Sequence, residues 1–311
     1  MSALSAAGVG RSPAARECGV ISAVAGQSQR EMREWAARYP GLLDAKTADP
    51  AMFATLAAAA AFSGPGLTAA DLRMANQICL WCFGLDWRID YVATSEREVQ
   101  DIVRRCAAVA EGAAPVAGDE LTRALADLRE ELAAAPAFAG LRSCWLDELR
   151  LMLEAMAREW AWKAARDAGA IDRPTFEEYV ANAHNLGFSF VFAAHWIATA
   201  GPVDGDPRDL VRAASREVQR VIRLLNDLGT YERDLAWGDL NALMLDVTRD
   251  GVNSRLAGIT AAARERLRTL RDRHPRLAGH AEYMERQMDF CAGFYGVGDF
   301  WGSVSDEDPR G

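Results

Sequence analysis

Two stretches of the chain present hard oxygen donors at helical spacing. In Leu85-Asp86-Trp87-Arg88-Ile89-Asp90 the two carboxylates lie four residues apart. On a helix that sets them about 40° apart in azimuth and about 6 Å apart along the axis, so both face one way. They close an apolar run of Ile78, Leu80, Trp81, Phe83 and Leu85. Anions at a helix C-terminus oppose the helix dipole, and a cation is needed to hold them there. The second stretch is Asn226-Asp227-Leu228-Gly229-Thr230-Tyr231-Glu232-Arg233-Asp234. Asn226, Thr230 and Asp234 fall at i, i+4 and i+8, a stripe about 80° wide over two turns. An amide oxygen, a hydroxyl and a carboxylate suit magnesium, which takes octahedral oxygen ligation and keeps waters and substrate phosphates in its shell. Each stretch alone is equally well a solvated polar face or a local ion pair.

The elements that must position these groups are helices. The 311 residues include 59 alanines, and half of the chain is apolar. So much alanine with little Val, Ile and Thr favours helix over sheet. Proline-free tracts run through 66–114, 137–173 and 208–274. Helix starts are marked by Thr68 with Asp71, Ser95 with Glu98, Thr175 with Glu178, and Asp206 before Pro207. The pattern predicts helices at about 29–38, 50–63, 68–90, 95–111, 119–134, 141–168, 175–200, 207–235, 240–249, 253–273 and 278–297. Gly187 interrupts one of them, and residues 293–311 read as an ordered loop or lid. The expected architecture is all-α: a loose segment over 1–27, then one helical bundle over 28–311.

Composition limits the function classes. Forty-four acidic against 35 basic side chains give a net charge of -9, which argues against nucleic acid. No apolar run reaches membrane-spanning length, and no basic stretch leads into an apolar export segment. The six scattered cysteines read as reduced, small hydrophobes of a cytoplasmic protein.

Taken together the two donor stretches, about 140 residues apart, resemble the class I terpene synthases. That family carries an aspartate-rich motif DDxxD and a second metal motif NDxx(S/T)xxx(E/D). Asn226-Asp227, Thr230 and Asp234 match the second in full, and Asp86 and Asp90 match the first and last aspartates of the first. Arg233 stands where the family carries a cation for diphosphate. Trp301, Ser303, Ser305, Asp308, Pro309 and Arg310 follow the order of the family's C-terminal segment. Pro174-Thr175-Phe176-Glu177-Glu178-Tyr179 looks like the entry to the helix that breaks beside the active site, with Gly187 as the break.

There are departures. Trp87 occupies the second aspartate position, no arginine follows Tyr179 in Ala183-His184-Asn185-Leu186, and Gly311 rather than Tyr follows Arg310. The His-Asn-Leu-Gly break looks more like that of bacterial labdane-related class I diterpene synthases of the terpentetriene synthase type. These act after a class II cyclase, on a diphosphate that is already bicyclic.

The resemblance implies a set of roles. Asp86, Asp90, Asn226, Thr230 and Asp234 would hold Mg2+, three ions in the closed complex. Arg233, Arg310 and His184 would contact the diphosphate of a prenyl substrate. Trp301, Trp87, Phe83 and Phe188 would face the carbocation, since aromatic faces attract cations without adding to them. Phe53, Trp160, Phe192 and Tyr295 are further aromatic candidates. No side chain is singled out as the terminal base, a role open to the released diphosphate. A linear farnesyl or geranylgeranyl substrate, a non-catalytic helical partner protein and a homodimer stay open. A chain-elongating prenyltransferase would carry a second aspartate-rich motif in place of Asn226–Asp234, and a class II cyclase would need an Asp-x-Asp-Asp acid, which the chain lacks.

Overall fold

Helix starts follow local side-chain chemistry. Thr68 caps the N–H of Asp71, whose carboxylate accepts from the Thr68 N–H at 2.8 Å. Thr175 and Glu178 repeat that reciprocal arrangement, again at 2.8 Å. At Ser95 only half of the box forms. Its hydroxyl caps Glu98, but the Glu98 carboxylate reaches past it to the Thr94 N–H at 2.7 Å.

The computed structural model describes residues 13–43, 49–169, 173–201 and 206–301. Among these residues there are eleven α-helices and no β-strand. They are α1 (Pro13–Ala36), α2 (Pro50–Ser63), α3 (Ala69–Trp87), α4 (Glu96–Glu111), α5 (Glu120–Ala133), α6 (Phe138–Asp167), α7 (Phe176–Ala181), α8 (Phe188–Thr199), α9 (Arg208–Trp237), α10 (Arg249–Arg273) and α11 (Ala278–Phe294). A π turn, Arg88–Val92, prolongs α3, and a 3-10 turn, Ala183–Leu186, joins α7 to the break before α8. No described helix is long and apolar enough to cross a membrane.

Two expectations are corrected. Residues 13–27 are helical rather than loose, and α1 buries Ile21 in the main core. Alanine and serine gave no apolar stripe there to reveal it. The helix expected at 240–249 is a 3-10 turn, Ala242–Met244, capped at its start by the Asn241 side chain and kept from winding further by Asp246, whose φ of 49° is left-handed.

α3 is apolar around most of its circumference, with Leu72, Ile78, Leu80, Trp81 and Leu85 fully enclosed. Such a helix belongs at the centre of a bundle. α2, α3, α6, α8, α9 and α11 together wall the cavity described below. Two glycines permit the close approaches that shape it. Gly187 has φ 73°, and a Cβ there would stand 2.9 Å from Met152 Sδ and 3.0 Å from Cys82 Sγ. Both facts account for the break between the 3-10 turn and α8. Gly229, inside α9, lets the Tyr295 carbonyl oxygen approach to 2.4 Å of where a Cβ would stand.

Gly229→Ala must push the chain beyond α11 away from α9. We expect it to cost about 1–3 kcal/mol in urea unfolding, with a red shift of Trp301 emission. Three histidines supply a second expectation. Burial lowers His195 and His280 to about 4 and about 3, while the nearby Asp71 charge opposes the fall at the former and His195 adds to it at the latter. Burial and three neighbouring arginines lower His184 to about 4. These folded-state values lie below the unfolded one, so the stabilisation is complete above about pH 6.5 and is lost as pH falls toward 4. The histidine share of the stability should therefore fall between pH 7 and pH 5. His280→Phe, which removes a ring whose two nitrogens have no hydrogen-bond partner among the described residues, should remove about 2 kcal/mol of that loss at pH 5, read as the difference in urea unfolding between the variant and the unaltered protein.

Candidate active site

Asp86 lies on the last turn of α3, and Asp90 lies on the π turn that follows. Both face one cavity. Their situations differ. Asp90 accepts from Lys163 Nζ at 2.6 Å. Burial pushes its carboxyl up to about 6, with Lys163 opposing that rise. Asp86 has no hydrogen bond or salt bridge among the described residues. Burial and the charges of Asp90 and Asp239 hold its carboxyl well above the usual range. A carboxylate drawn out of water without a partner lacks a cation, and that orphaned group suits a divalent ion.

On α9 the Asn226, Thr230 and Asp234 stripe forms as its spacing requires. Asn226 lines the cavity, with the Tyr295 hydroxyl close to its side chain. Thr230 Oγ1 lies 2.7 Å from Asp234 Oδ2 and 2.8 Å from the Asn226 carbonyl. Asp234 also accepts from Asn241 Nδ2 at 2.8 Å and from Arg233 Nη2 at 2.8 Å. Asp227, the motif's second residue, points the other way. It accepts from the Tyr179 hydroxyl at 3.0 Å and from the Ala242 N–H at 3.3 Å. Burial raises it to about 7. It ties α9 to α7 and takes no part in the cavity lining. Among the described residues no three His, Cys, Asp or Glu side chains already converge on a common point.

The cavity encloses about 1230 Å³ including its open mouth. Asp86, Asp90, Asn226, Arg233 and Asp234 stand at the mouth, and Phe83, Phe188 and Trp301 contribute aromatic faces. Asn76, also in the lining, sits on α3 about 15 Å deeper than Asp86 by helix rise. The chain beyond α11 folds over the mouth. Asp299 is ion-paired with Arg233, Phe300 packs on Phe294 at 4.4 Å, and Trp301 meets Phe83 edge-on at 4.8 Å.

Some predicted residues are placed elsewhere. Thr230 sits behind Asp234 and is only 3% exposed. Trp87 lies behind the lining, 4.9 Å from the Tyr91 ring and 6.4 Å from Trp301, because the next helical position after Asp86 turns away from the cavity. His184 is turned out of the cavity. Its Nδ1 accepts from Gln219 Nε2 at 3.2 Å and lies 3.9 Å from Glu148, so it is bound up in the α6–α9 contact. Of the further aromatics Phe192 and Tyr295 line the cavity, whereas Phe53 and Trp160 do not. Arg310, with Ser303, Ser305, Asp308 and Pro309, lies outside the described residues.

Sequence reasoning missed four charged groups, three in the cavity lining and one, Lys163, behind it. Arg223 lines the cavity one turn before Asn226, stacks on the Tyr179 ring at 4.3 Å and pairs with Glu159 at 3.1 Å. It sets a guanidinium against the Tyr179 ring, whereas the segment 183–186 after Tyr179 carries none. Its signal was an arginine inside the apolar run Val221-Ile222-Arg223-Leu224-Leu225. The others are Glu159, Lys163 and Asp239, and no motif marked them.

Known proteins bear on this geometry. The family profile described as terpene synthase family 2, C-terminal metal binding, matches residues 77–288. An ent-pimara-9(11),15-diene synthase from Streptomyces sp. (strain KO-3988) is 29% identical over 90% of this chain and 93% of its own. Among solved structures, linalool/nerolidol synthase from Streptomyces clavuligerus, in complex with 2-fluorogeranyl diphosphate, superposes with a TM-score of 0.66. It is 19% identical and covers 88% of this chain and 93% of its own. A single-site mutant of the SVS_A2 protein, obtained by ancestral sequence reconstruction, gives a TM-score of 0.68 at 20% identity, over 92% and 88% of the two chains. These share the fold. The profile spans both donor stretches and most of the chain between its ends, and the chain belongs to the terpene synthase family, as a class I enzyme with a metal-binding domain.

Proposed function

We propose that this class I terpene synthase is a diterpene synthase that ionises a bicyclic, labdane-type allylic diphosphate with Mg2+ and releases a diterpene olefin. The observation that carries the reading is a single cavity with an acidic, guanidinium-bearing mouth and an aromatic, apolar body. That shape suits an amphiphile with a charged head and a large hydrocarbon. The size of the hydrocarbon is supported by the diterpene-forming relative, which aligns over nearly the whole chain.

Asp86 on α3 and Asn226 and Asp234 on α9 are the proposed Mg2+ donors, with the Thr230 hydroxyl holding the Asp234 carboxylate from behind. When bound, the metal supplies the positive charge toward which the diphosphate leaves. Arg233 and Arg223 present guanidinium donors at the same mouth and can take a forked hold on the phosphate oxygens. The allylic C–O bond breaks heterolytically, both electrons leave with the diphosphate, and an allylic carbocation remains. Phe83, Phe188 and Trp301 offer it ring faces. Asp299, Phe300 and Trp301 keep water from the mouth. Loss of a proton to the released diphosphate completes the olefin.

Diphosphate release should be measured with bicyclic copalyl-type and with linear geranylgeranyl and farnesyl diphosphates, across magnesium concentrations. We expect turnover of the bicyclic compound. Turnover of a linear compound alone would overturn the labdane assignment, and no turnover of any would overturn the catalytic one. Asp86→Asn should separate function from stability. Removing an orphaned charge should raise the urea midpoint of the metal-free protein, while diphosphate release falls on the order of 10²–10³-fold. An unchanged release rate would remove Asp86 from the site.

A further inference from the structure

Asn76 opens a stripe of α3 that runs through Cys79 and Phe83 to Asp86, and all four side chains line the cavity. They lie within about 80° of one another around the helix, and ten residues of rise set Asn76 about 15 Å from Asp86. Tyr283, also in the lining, is on α11. It stands about 18 Å by helix rise from Tyr295, whose hydroxyl is close to Asn226 at the mouth. Asn76 and Tyr283 therefore belong to the same deep end of the cavity.

The polar groups of that end differ in how they are satisfied. Gln287, one turn after Tyr283, accepts from Ser63 Oγ at 3.0 Å and donates toward Cys291 Sγ at 3.6 Å. Asn76 is only 3% exposed, and neither end of its amide has a hydrogen-bond partner among the described residues. Tyr283 is equally buried. Its ring stacks on His195 at 4.1 Å, and its hydroxyl has no partner among the described residues. An amide and a phenol held out of water without partners are unfavourable unless a ligand completes them. Both are neutral, and between them they offer donors and acceptors. That set suits a hydroxyl, which donates once and accepts twice, rather than an ion.

Position decides which part of the substrate they meet. The C–O bond breaks at the diphosphate, so charge first develops beside Asp86 and Asp234. Asn76 is out of reach of that carbon and faces the far hydrocarbon, which in a bicyclic substrate is a ring system already closed. We propose that Asn76, with Tyr283 at the same end, forms a hydroxyl-recognising subsite, and that the substrate is a bicyclic allylic diphosphate carrying a hydroxyl on its rings. The inference rests on the bicyclic reading above and deepens it. The preceding cyclisation must then end with water: its oxygen bonds to the ring cation and one of its protons leaves.

The test is a competition. Equal amounts of copalyl diphosphate and of its counterparts hydroxylated on the ring that bears the side chain, or on the outer ring, are offered with magnesium, and their consumption is followed by mass spectrometry. The unaltered protein should consume one hydroxylated compound on the order of 10²-fold faster than copalyl diphosphate. Asn76→Leu, which is close in volume, should lose that preference, and Tyr283→Phe should reduce it. Tryptophan quenching by the same compounds in the metal-free protein reads the preference without turnover. Equal or faster consumption of copalyl diphosphate by the unaltered protein, or a folded Asn76→Leu variant that keeps the preference, would overturn the proposal. So would an alcohol made from copalyl diphosphate by the unaltered protein and not by Asn76→Leu, since Asn76 would then hold a reacting water. Consumption of linear diphosphates alone overturns the bicyclic reading together with this inference, whereas a preference for copalyl diphosphate overturns this inference alone. If Asn76→Leu does not fold, the competition on the unaltered protein still decides.

Discussion

Carboxylates gathered at the opening of an apolar cavity repel one another and lose hydration, and every element around this site is arranged to offset that. Asp90 and Asp239 share Lys163, Glu159 takes Arg223, and Asp234 takes Arg233, Asn241 and Thr230. Those partners come from α6, α9 and the chain just after α9. Charge compensation thus fixes how the helices meet at this end of the bundle, and among the described carboxylates of the lining Asp86 alone is left without an ion-pair partner. Ion pairs this far from water stabilise only when both members are present and hydrogen-bonded. Their value here lies in register: they set α3 and α9 so that the two donor stretches face one space.

α9 does most of the organising. One face carries Asn226, Thr230 and Asp234. Around the helix, Arg223 and Asp227 bind the Tyr179 hydroxyl at 2.9 and 3.0 Å. That couples α9 to α7, and through it to the Gly187 break where the cavity wall changes direction. Gly229 admits the backbone of Tyr295 against the same helix, bringing Phe300 and Trp301 over the mouth. Asn241 closes the arrangement by donating both to the Asp227 carbonyl and to Asp234, each at 2.8 Å.

Local rules were easy to read where one residue acts on its near neighbours. The Thr68–Asp71 and Thr175–Glu178 boxes, the Gly187 break and the i, i+4, i+8 stripe on α9 depend on helix geometry alone and form as expected. The first helix and the segment around Asn241 were misread. In α1 the apolar pattern is diluted by alanine and serine. At Asn241 a side chain that resembles a loop residue is fully buried and serves two carboxyl-bearing neighbours.

The sequence by itself determined an all-α chain and two oxygen-donor stretches whose spacing specifies a shared face, because both follow from the 3.6-residue turn. Only the tertiary structure decided which donors are free. Lys163 meets partners 73 and 76 residues away, and Arg223 finds Glu159 across 64. No local pattern distinguishes that lysine from the arginines around it on α6. Likewise, Asp86 and Asp90 are equivalent on a helical wheel, and they diverge because a cation from another helix reaches one and not the other. The charge state of a buried site is a sum over everything packed against it, and that sum exists only once the chain is folded.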